Sequence, residues 1–213
     1  RGFDVNLVVV DARGPYSTEV SPSVNLIDFH CKRVGNAFFK LACHLKTDKP
    51  DILISALEHT NILALLVGKF LRFKQKIIIS ERVFKHKSVY RSTLHYLLFR
   101  ILSKLTYPTA DHIIAVSEDL RDIIIKELKI TAQRVSVLYN PIPEFIKTNT
   151  TEGEKFPIDG KPYILAAGRL TQQKDFLGLV RAFSKISNVI DHRLVIIGEG
   201  EERKSIEAEI KLK

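Results

Sequence analysis

Two cations flank a glycine turn in the stretch AAGRLTQQKDF, Ala166 to Phe176. The apolar run Tyr163 to Ala167 leads straight into Gly168. Arg169 follows, then a short polar turn that closes on Lys174 and Asp175. Phe176, Leu179, Val180 and Phe183 then recur at helical spacing. The pattern reads as buried strand, glycine turn and helix start. Such a junction points backbone N–H groups and the positive end of a helix dipole at whatever sits above the strand. With Arg169 and Lys174 beside it, the turn suits a diphosphate. On spacing alone, a solvated loop with ordinary surface cations is the commoner outcome, because glycine turns of this kind abound in α/β proteins. Gly198-Glu199-Gly200 forms a second such turn, after the apolar run Arg193–Ile197 and before a helical stretch from Glu201 to Lys213. A single GxG is a weak signal.

The elements that must position these residues alternate along the chain. Val5–Val10, Val24–Phe29, Asp51–Ala56, Lys76–Ser80, Asp111–Val116 and Arg134–Leu138 read as strands. Between them, Gly35–Leu45 carries Phe38, Leu41, Ala42 and Leu45 at helical spacing, and Asn61–Phe73 carries Leu63, Leu66, Val67 and Phe70. Ser117 is placed to cap a helix whose Leu120, Ile123, Ile124 and Leu128 face a core. Asp11 to Ser23 is turn-rich and reads as an exposed loop. Repeated βα alternation predicts a parallel, doubly wound α/β sheet. Residues 144–161 are polar, with Gly153, Pro157 and Gly160, and read as a linker. The expected organisation is therefore a domain over 1–143, the linker, and a second domain over 162–213.

In open α/β sheets, ligands bind at the carboxyl ends of strands. Ser80-Glu81-Arg82 lies at such an end, and His59 and Asn61 follow another. Glu81, Arg82, His59 and Asn61 are candidates to line a site there. Arg82 could equally belong to a basic face, and a histidine beside a helix start is more often structural. Tyr139-Asn140-Pro141-Ile142-Pro143 breaks the pattern as a turn.

The chain of 213 residues carries a net charge of +9, unevenly spread. Between His59 and Ala110, ten Lys and Arg residues face a single acid, Glu81, so this stretch alone accounts for the excess. A localised basic region points to an anionic partner. Within it, Leu94, Leu97, Leu98, Ile101, Leu102 and Leu105 form an apolar stripe on a helix read over Ser88–Leu105. The stripe is expected to pack on the domain core. Arg91, Arg100 and Lys104, with Arg82–Lys87, are expected to meet anionic lipid headgroups, so that the segment 69–104 contacts a membrane surface.

Hydrophobic content of 45% and charged content of 27% describe a globular chain. Cys31 and Cys43 form neither a disulfide framework nor a metal spacing, and Cys43 falls in an apolar pattern as a small core residue. No Asp/His cluster suggests a metal site. No apolar run reaches the ~20 residues of a membrane span. The setting is read as cytoplasmic. The chain has no methionine, begins as a helix end running into a strand, and closes inside a helical pattern, so a fragment of a longer protein is expected.

YILAAGRLTQQKDFLGLVRAF, followed by HRLVIIGEGEER, resembles the start of the C-terminal domain of family-4 retaining glycosyltransferases. The likeness extends through DHIIAVSEDL and VSVLYNPIP and covers most of the chain. It implies the GT-B fold: two Rossmann-like domains, here with the first strand and loop of the N-terminal domain missing and the C-terminal domain truncated. It implies that Arg169 and Lys174, with Gly168, hold the diphosphate of a UDP- or GDP-sugar, and that Gly198, Glu199 and Gly200 lie under the nucleotide. It further implies hexosyl transfer to a lipid-linked or polysaccharide acceptor, with no metal and no other cofactor, at the inner face of the membrane. Many members carry a histidine near the reacting centre; the aligned residue here is Arg82, a departure that puts a histidine-based mechanism in question and makes Arg82 the candidate catalytic residue, with His59, Asn61 and Glu81 on the acceptor side. A pair of donor-binding glutamates in the later C-terminal domain is expected beyond residue 213, so the 213 residues alone are expected to be inactive. The alternatives are a non-catalytic nucleotide-sugar-binding relative and a basic nucleic-acid-binding module. The sequence has no aromatic stacking motif for nucleic acid, and no nucleic-acid partner is expected.

Overall fold

A computed structural model describes residues 2–83, 92–141 and 162–212. The chain divides into two compact units, Arg1–Pro143 and Glu144–Lys213. All strand pairs in both are parallel. This is the α/β class that βα alternation predicts.

In the first unit, β1 (Asn6–Val9) pairs with β2 (Asn25–Asp28). A separate sheet holds β3 (Ile52–Ala56), β4 (Lys76–Glu81), β5 (His112–Ala115) and β6 (Val135–Val137), in that order. Among the described residues, four helices accompany them: α1 (Phe38–Asp48), α2 (Glu58–Leu71), α3 (Thr93–Thr106) and α4 (Glu118–Leu128). The connection from β1 to β2 carries a short 3-10 turn, Pro15–Glu19. Ser117 caps α4 as its sequence predicts, with its hydroxyl accepting from the Leu120 N–H, and Glu118 and Asp119 complement the helix dipole.

Two clusters build the core. Ile77, Ile79, Ile113 and Val135 of the sheet pack with Ile62, Leu65, Ile124 and Leu128 of α2 and α4. Leu41, Ala42 and Leu45 of α1 pack with Leu63 and Val67 of α2, beside Phe29 and Cys31. α2 is thus apolar on two sides and is wedged between α1 and the sheet.

The second unit holds β7 (Tyr163–Ala167), β8 (Arg193–Ile197), α5 (Phe176–Ser184) and α6 (Arg203–Lys211). Its core is Leu170, Phe176, Val180 and Ile206.

Several expectations are corrected. Cys43 is exposed and Cys31 is the buried cysteine. The 3.6-residue period puts Leu41, Ala42 and Leu45 on the inward face of α1 and turns Cys43 about 100° away from Ala42. Phe70 is largely exposed and stacks edge-on with Phe38 at the surface, with ring centres 5.6 Å apart. Ile123 is exposed at the margin of the buried stripe of α4. The largest correction concerns α3. Leu94, Leu97, Leu98, Ile101 and Leu105 all face solvent, Leu94 at 75% exposure. The helix turns Phe99, Leu102, Ser103 and Thr106 inward instead.

Candidate functional site

Each unit presents a cluster at the carboxyl ends of its parallel strands. In the second unit, β7 and β8 do not stop pairing where the strands end. The Gly168 N–H donates to the Ile197 carbonyl (3.0 Å), Leu170 N–H to Glu199 (2.9 Å), and Glu202 N–H back to Leu170 (3.0 Å). The turns 168–170 and 197–202 are laced together by backbone alone. Only glycine allows this approach. A Cβ on Gly198 would lie 1.8 Å from the Gly168 carbonyl oxygen, and one on Gly200 would lie 2.3 Å from that of Leu170. Both glycines also have positive φ. A Cβ on Gly168 would meet only the Phe176 ring, at 3.4 Å. Leu170 buries its side chain beneath the turn.

Arg169 stands on this laced turn and Lys174 on the 3-10 turn, Gln172–Lys174, that follows it; both are exposed, and neither is ion-paired with a described residue. Their positive charge is therefore uncommitted within the described residues. The helix start is not. Asp175, in the left-handed conformation, caps α5 and accepts from the Gly178 N–H at 3.0 Å. One of the N–H groups that the sequence offers to an anion already has a carboxylate. Glu199 is likewise engaged, paired with Arg203 one turn along. An anion at this turn would be held chiefly by the two side-chain cations.

In the first unit, the carboxyl end of β4 is tied down on both sides. The Ser80 carbonyl accepts from the Leu57 N–H (3.3 Å) and from the Asn61 amide (2.9 Å). Asn61 is wholly buried, and its Oδ1 has no partner among the described residues. Leu57 reaches its bond with φ near 78°, a costly conformation for a bulky side chain. Glu81 is also buried, at 5% exposure. Its carboxylate accepts a short hydrogen bond from the Tyr107 hydroxyl and another from the Arg82 N–H (3.2 Å). Burial pushes the Glu81 carboxyl above the ordinary glutamate range, against the pull of those donors. Burial, with the Glu81 charge beside it, keeps the Tyr107 hydroxyl protonated.

Arg82 extends from this anchored strand end, and its Nη1 donates to Asn140 Oδ1 at 2.6 Å. The structure thus joins Asn61, Glu81 and Arg82, three residues singled out in the sequence, with two others. Tyr107 gave no sequence signal, because nothing local marks a tyrosine as the partner of a distant glutamate. Asn140 reads as a turn residue and is also the seat of a guanidinium. His59 is half-buried and lines a groove beside β3. A further cluster, absent from the sequence reading, lies past β2. There Asp28 accepts from the backbone N–H groups of Ala12 (3.1 Å) and His30 (2.7 Å), and its carboxylate lies 3.0 Å from His30 Nδ1. Arg13 holds the neighbouring Asp11 carboxyl down at about 2.

The buried Glu81 carboxyl generates a pH prediction. Its pKa in the fold lies above the unfolded value, so its contribution is full below the unfolded pKa and is lost as pH rises through the folded one. Denaturant midpoints should therefore fall as pH rises from about 4.3, and Glu81→Gln should flatten that dependence. A slope unchanged by Glu81→Gln would contradict the assignment.

Comparison with known proteins places the fold. The model of Glycosyltransferase Family 4 matches residues 1–144, and that of Glycosyl transferases group 1 matches residues 148–213. One curated relative is the Campylobacter jejuni N-acetylgalactosamine-N,N'-diacetylbacillosaminyl-diphospho-undecaprenol 4-alpha-N-acetylgalactosaminyltransferase. It is 26% identical over 172 residues, which is 81% of this chain and 45% of the relative. A second C. jejuni relative, an alpha-1,4-N-acetyl-D-galactosaminyltransferase acting on a diNAcBac-PP-undecaprenol-linked glycan, is 28% identical over 179 residues, 82% of this chain and 45% of its own. The chain thus spans under half the length of these relatives. Among solved structures, a Rickettsia africae glycosyltransferase superposes with a TM-score of 0.65 at 18% identity, covering 99% of this chain and 56% of its own. Anabaena HepE, solved in complex with UDP, gives 0.65 at 13% identity, covering 97% and 58%. These structural likenesses show the GT-B architecture, and with a family model matched along two thirds of its length, the chain belongs to glycosyltransferase family 4.

Proposed function

We propose that the parent protein is a retaining hexosyltransferase that moves a sugar from a UDP- or GDP-sugar to a lipid-linked or polysaccharide acceptor in cell-surface glycan synthesis. The observation that carries this reading is the pair of uncommitted cations, Arg169 and Lys174, on and just after a turn fixed by backbone lacing, in a chain matched in tandem by both family models. As the sugar–oxygen bond breaks, negative charge grows on the departing nucleoside diphosphate. Cations already fixed beside that charge stabilise the transition state more than the ground state. They supply what a divalent ion would supply, so no metal is expected. Gly198 and Gly200 keep the turn free of side chains where the nucleotide would lie, and Glu199 flanks it. In the first unit, Arg82, held by Asn140 and by the strand end that Glu81 anchors, is the cation offered to the acceptor or the transferring sugar. Asn61 acts on this side as a support for Ser80. His59, which lines a groove beside β3, is a further candidate for the acceptor side.

The named acceptors of both curated relatives are undecaprenol-linked diphosphates. A lipid-linked acceptor requires an enzyme that works at a membrane surface, and α3 has the surface for it. Its outward face is Leu94, Leu97, Leu98, Ile101 and Leu105, and Lys104 lies beside that face. Among the described residues, no helix is long and apolar enough to cross a membrane. A helix apolar on its outer face and flanked by cations binds in the interface plane. Arg100 does not serve here, because it is mostly buried and paired with Glu127 at 2.7 Å. Lys85, Lys87 and Arg91 lie outside the described residues. This reading places the enzyme on the cytoplasmic side, at the inner face of the membrane.

Two experiments test the proposal. Calorimetric titration of the full-length parent with a panel of UDP- and GDP-sugars should give saturable binding to one nucleotide series. Arg169→Ala and Lys174→Ala should each weaken it by about 10–100-fold, the worth of one charge-assisted contact. Binding that survives both changes would reduce the turn to a loop. Cosedimentation with vesicles containing anionic lipid should fall at least about tenfold in Leu97→Glu and Ile101→Glu variants, because each change removes a buried aliphatic group from the interface. Unchanged cosedimentation would remove α3 from the membrane contact.

A further inference from the structure

The cluster past β2 has no part in the donor and membrane contacts proposed above. It lies at the carboxyl ends of the parallel strands β1 and β2, the side on which open α/β sheets bind ligands. Asp11, Arg13, His30, Cys31 and Lys32 bound a hollow of about 280 Å³ there.

The backbone around His30 is anchored on both sides. Phe29 and Cys31 are buried in the core cluster of α1 and α2. Their N–H groups continue the ladder with β1, Phe29 donating to the Val9 carbonyl (3.0 Å) and Cys31 to that of Val10 (2.7 Å). Lys40 Nζ donates to the Phe29 carbonyl as well. Between these anchors His30 takes a left-handed φ of 49°, and its side chain is 81% exposed. Histidine is among the residue types that adopt this conformation more often than most.

Asp28 sets the chemistry of that ring. Its side chain is mostly buried, with Oδ1 accepting from the His30 N–H and Oδ2 from the Ala12 N–H. Chiefly the His30 N–H, with that of Ala12, holds the Asp28 carboxyl below the ordinary aspartate range, against partial desolvation. An ionised carboxylate only accepts, so the ring nitrogen 3.0 Å from it, Nδ1, carries the hydrogen. In the neutral ring, Nε2 then keeps its lone pair on an exposed side chain. A carboxylate behind an imidazole fixes histidine as an acceptor in this way. Beside it, Asp11 engages Arg13 through Nε (2.9 Å to each oxygen) and Nη2, and Nη1 has no partner among the described residues. Lys32 has no ion-pair partner among them either. Asp11 and Asp28 together balance Arg13 and Lys32. A polyanion is drawn to an excess of cations, as at Arg169 and Lys174. A neutral hydroxyl both donates and accepts, and it requires donors and acceptors side by side. The hollow has both.

We infer that this hollow is a sugar-hydroxyl site: His30 Nε2 accepts a hydrogen bond from a hydroxyl of a neutral sugar ring, while Arg13 Nη1 and Lys32 Nζ donate to its neighbouring oxygens. Asp28 is a positioning residue, acting through the tautomer of His30, and Asp11 acts likewise through Arg13. The inference deepens the sugar-transfer reading and rests on it for the ring's identity as part of the acceptor glycan. The donor diphosphate is assigned to cations of the second unit, whereas every group of this hollow belongs to the first.

Imidazole nitrogen resonances of the isotopically labelled full-length parent test it, at about pH 8, above the ordinary histidine range. His30 should show a protonated Nδ1 and a bare Nε2; the reverse pattern would overturn the inference. Galactose, glucose, N-acetylgalactosamine and N-acetylglucosamine are then added singly to high millimolar concentration, with inorganic diphosphate as the contrasting probe. At least one sugar should shift His30 Nε2 and Lys32 Nζ on one saturable curve. His30→Gly, which suits the left-handed backbone, should weaken that binding about 3–10-fold when read at Lys32, the worth of one neutral hydrogen bond. No response to any of the four sugars would overturn the inference, and so would diphosphate acting at lower concentration than every sugar. Donor binding is read separately, at the Gly198 and Gly200 amides on adding UDP or GDP. A nucleotide response without a sugar response removes this site alone, and a sugar response without a nucleotide response supports the site while removing the transfer reading.

Discussion

The candidate donor site depends on one backbone contact, the lacing of the turn after β7 to the turn after β8. Three hydrogen bonds carry the parallel ladder past the last strand residues, and two glycines make room for them. Without that lacing, Arg169 and Lys174 would sit on a loop free to relax away from a ligand. A cation that must be ordered on binding loses part of its contribution to rotamer and loop entropy. The lacing orders the backbone in advance, and only the side chains remain to be fixed. Catalysis by electrostatic stabilisation requires such pre-organisation, because the charge must be in place when the leaving group develops its own. Gly198 and Gly200 thus have a requirement that precedes any nucleotide: the neighbouring turn already occupies their Cβ positions.

The first unit uses a different device for the same purpose. Here, buried polar side chains fix the strand end. Ser80 is held through its carbonyl, Glu81 through its carboxylate, and Arg82 emerges between them and Asn140. A buried carboxylate is expensive unless its lone pairs are met. The Tyr107 hydroxyl and the Arg82 N–H meet them, and the result is a positioned cation. Glu81 is a positioning residue in this account, because its burial keeps it from an acceptor. α3 supplies the third feature, an apolar face turned outward to solvent.

Strand and helix order was legible because βα alternation and continuous apolar strands leave little choice of class. The cap at Ser117 was legible for a local reason, a hydroxyl one residue ahead of an acidic first turn. α3 was misread for an equally physical reason. Phe99, Leu102, Ser103 and Thr106 satisfy helical spacing as well as the leucine stripe does, and hydrophobicity alone selects the wrong face. The inward face buries the small Ser103 and Thr106 beside Phe99 and Leu102. Periodicity does not weigh fit. The Asp175 cap was present in the sequence as a polar turn, but its left-handed conformation, which turns the carboxylate onto the helix start, was not. The Glu81–Tyr107 pair spans 26 positions and belongs to tertiary structure alone. Arg169 and Lys174 were legible as a motif, whereas their lack of ion-pair partners among the described residues was not.

The central claim is that the laced turn itself receives the donor diphosphate. Its most direct test is a nuclear magnetic resonance titration of the isotopically labelled full-length parent with UDP and GDP. The account predicts that the side-chain resonances of Arg169 and Lys174 and the amides of Gly198 and Gly200 shift together, saturating on one binding curve with one of the two nucleotides. Saturable nucleotide binding that leaves all four residues unmoved would place the diphosphate elsewhere and contradict the account.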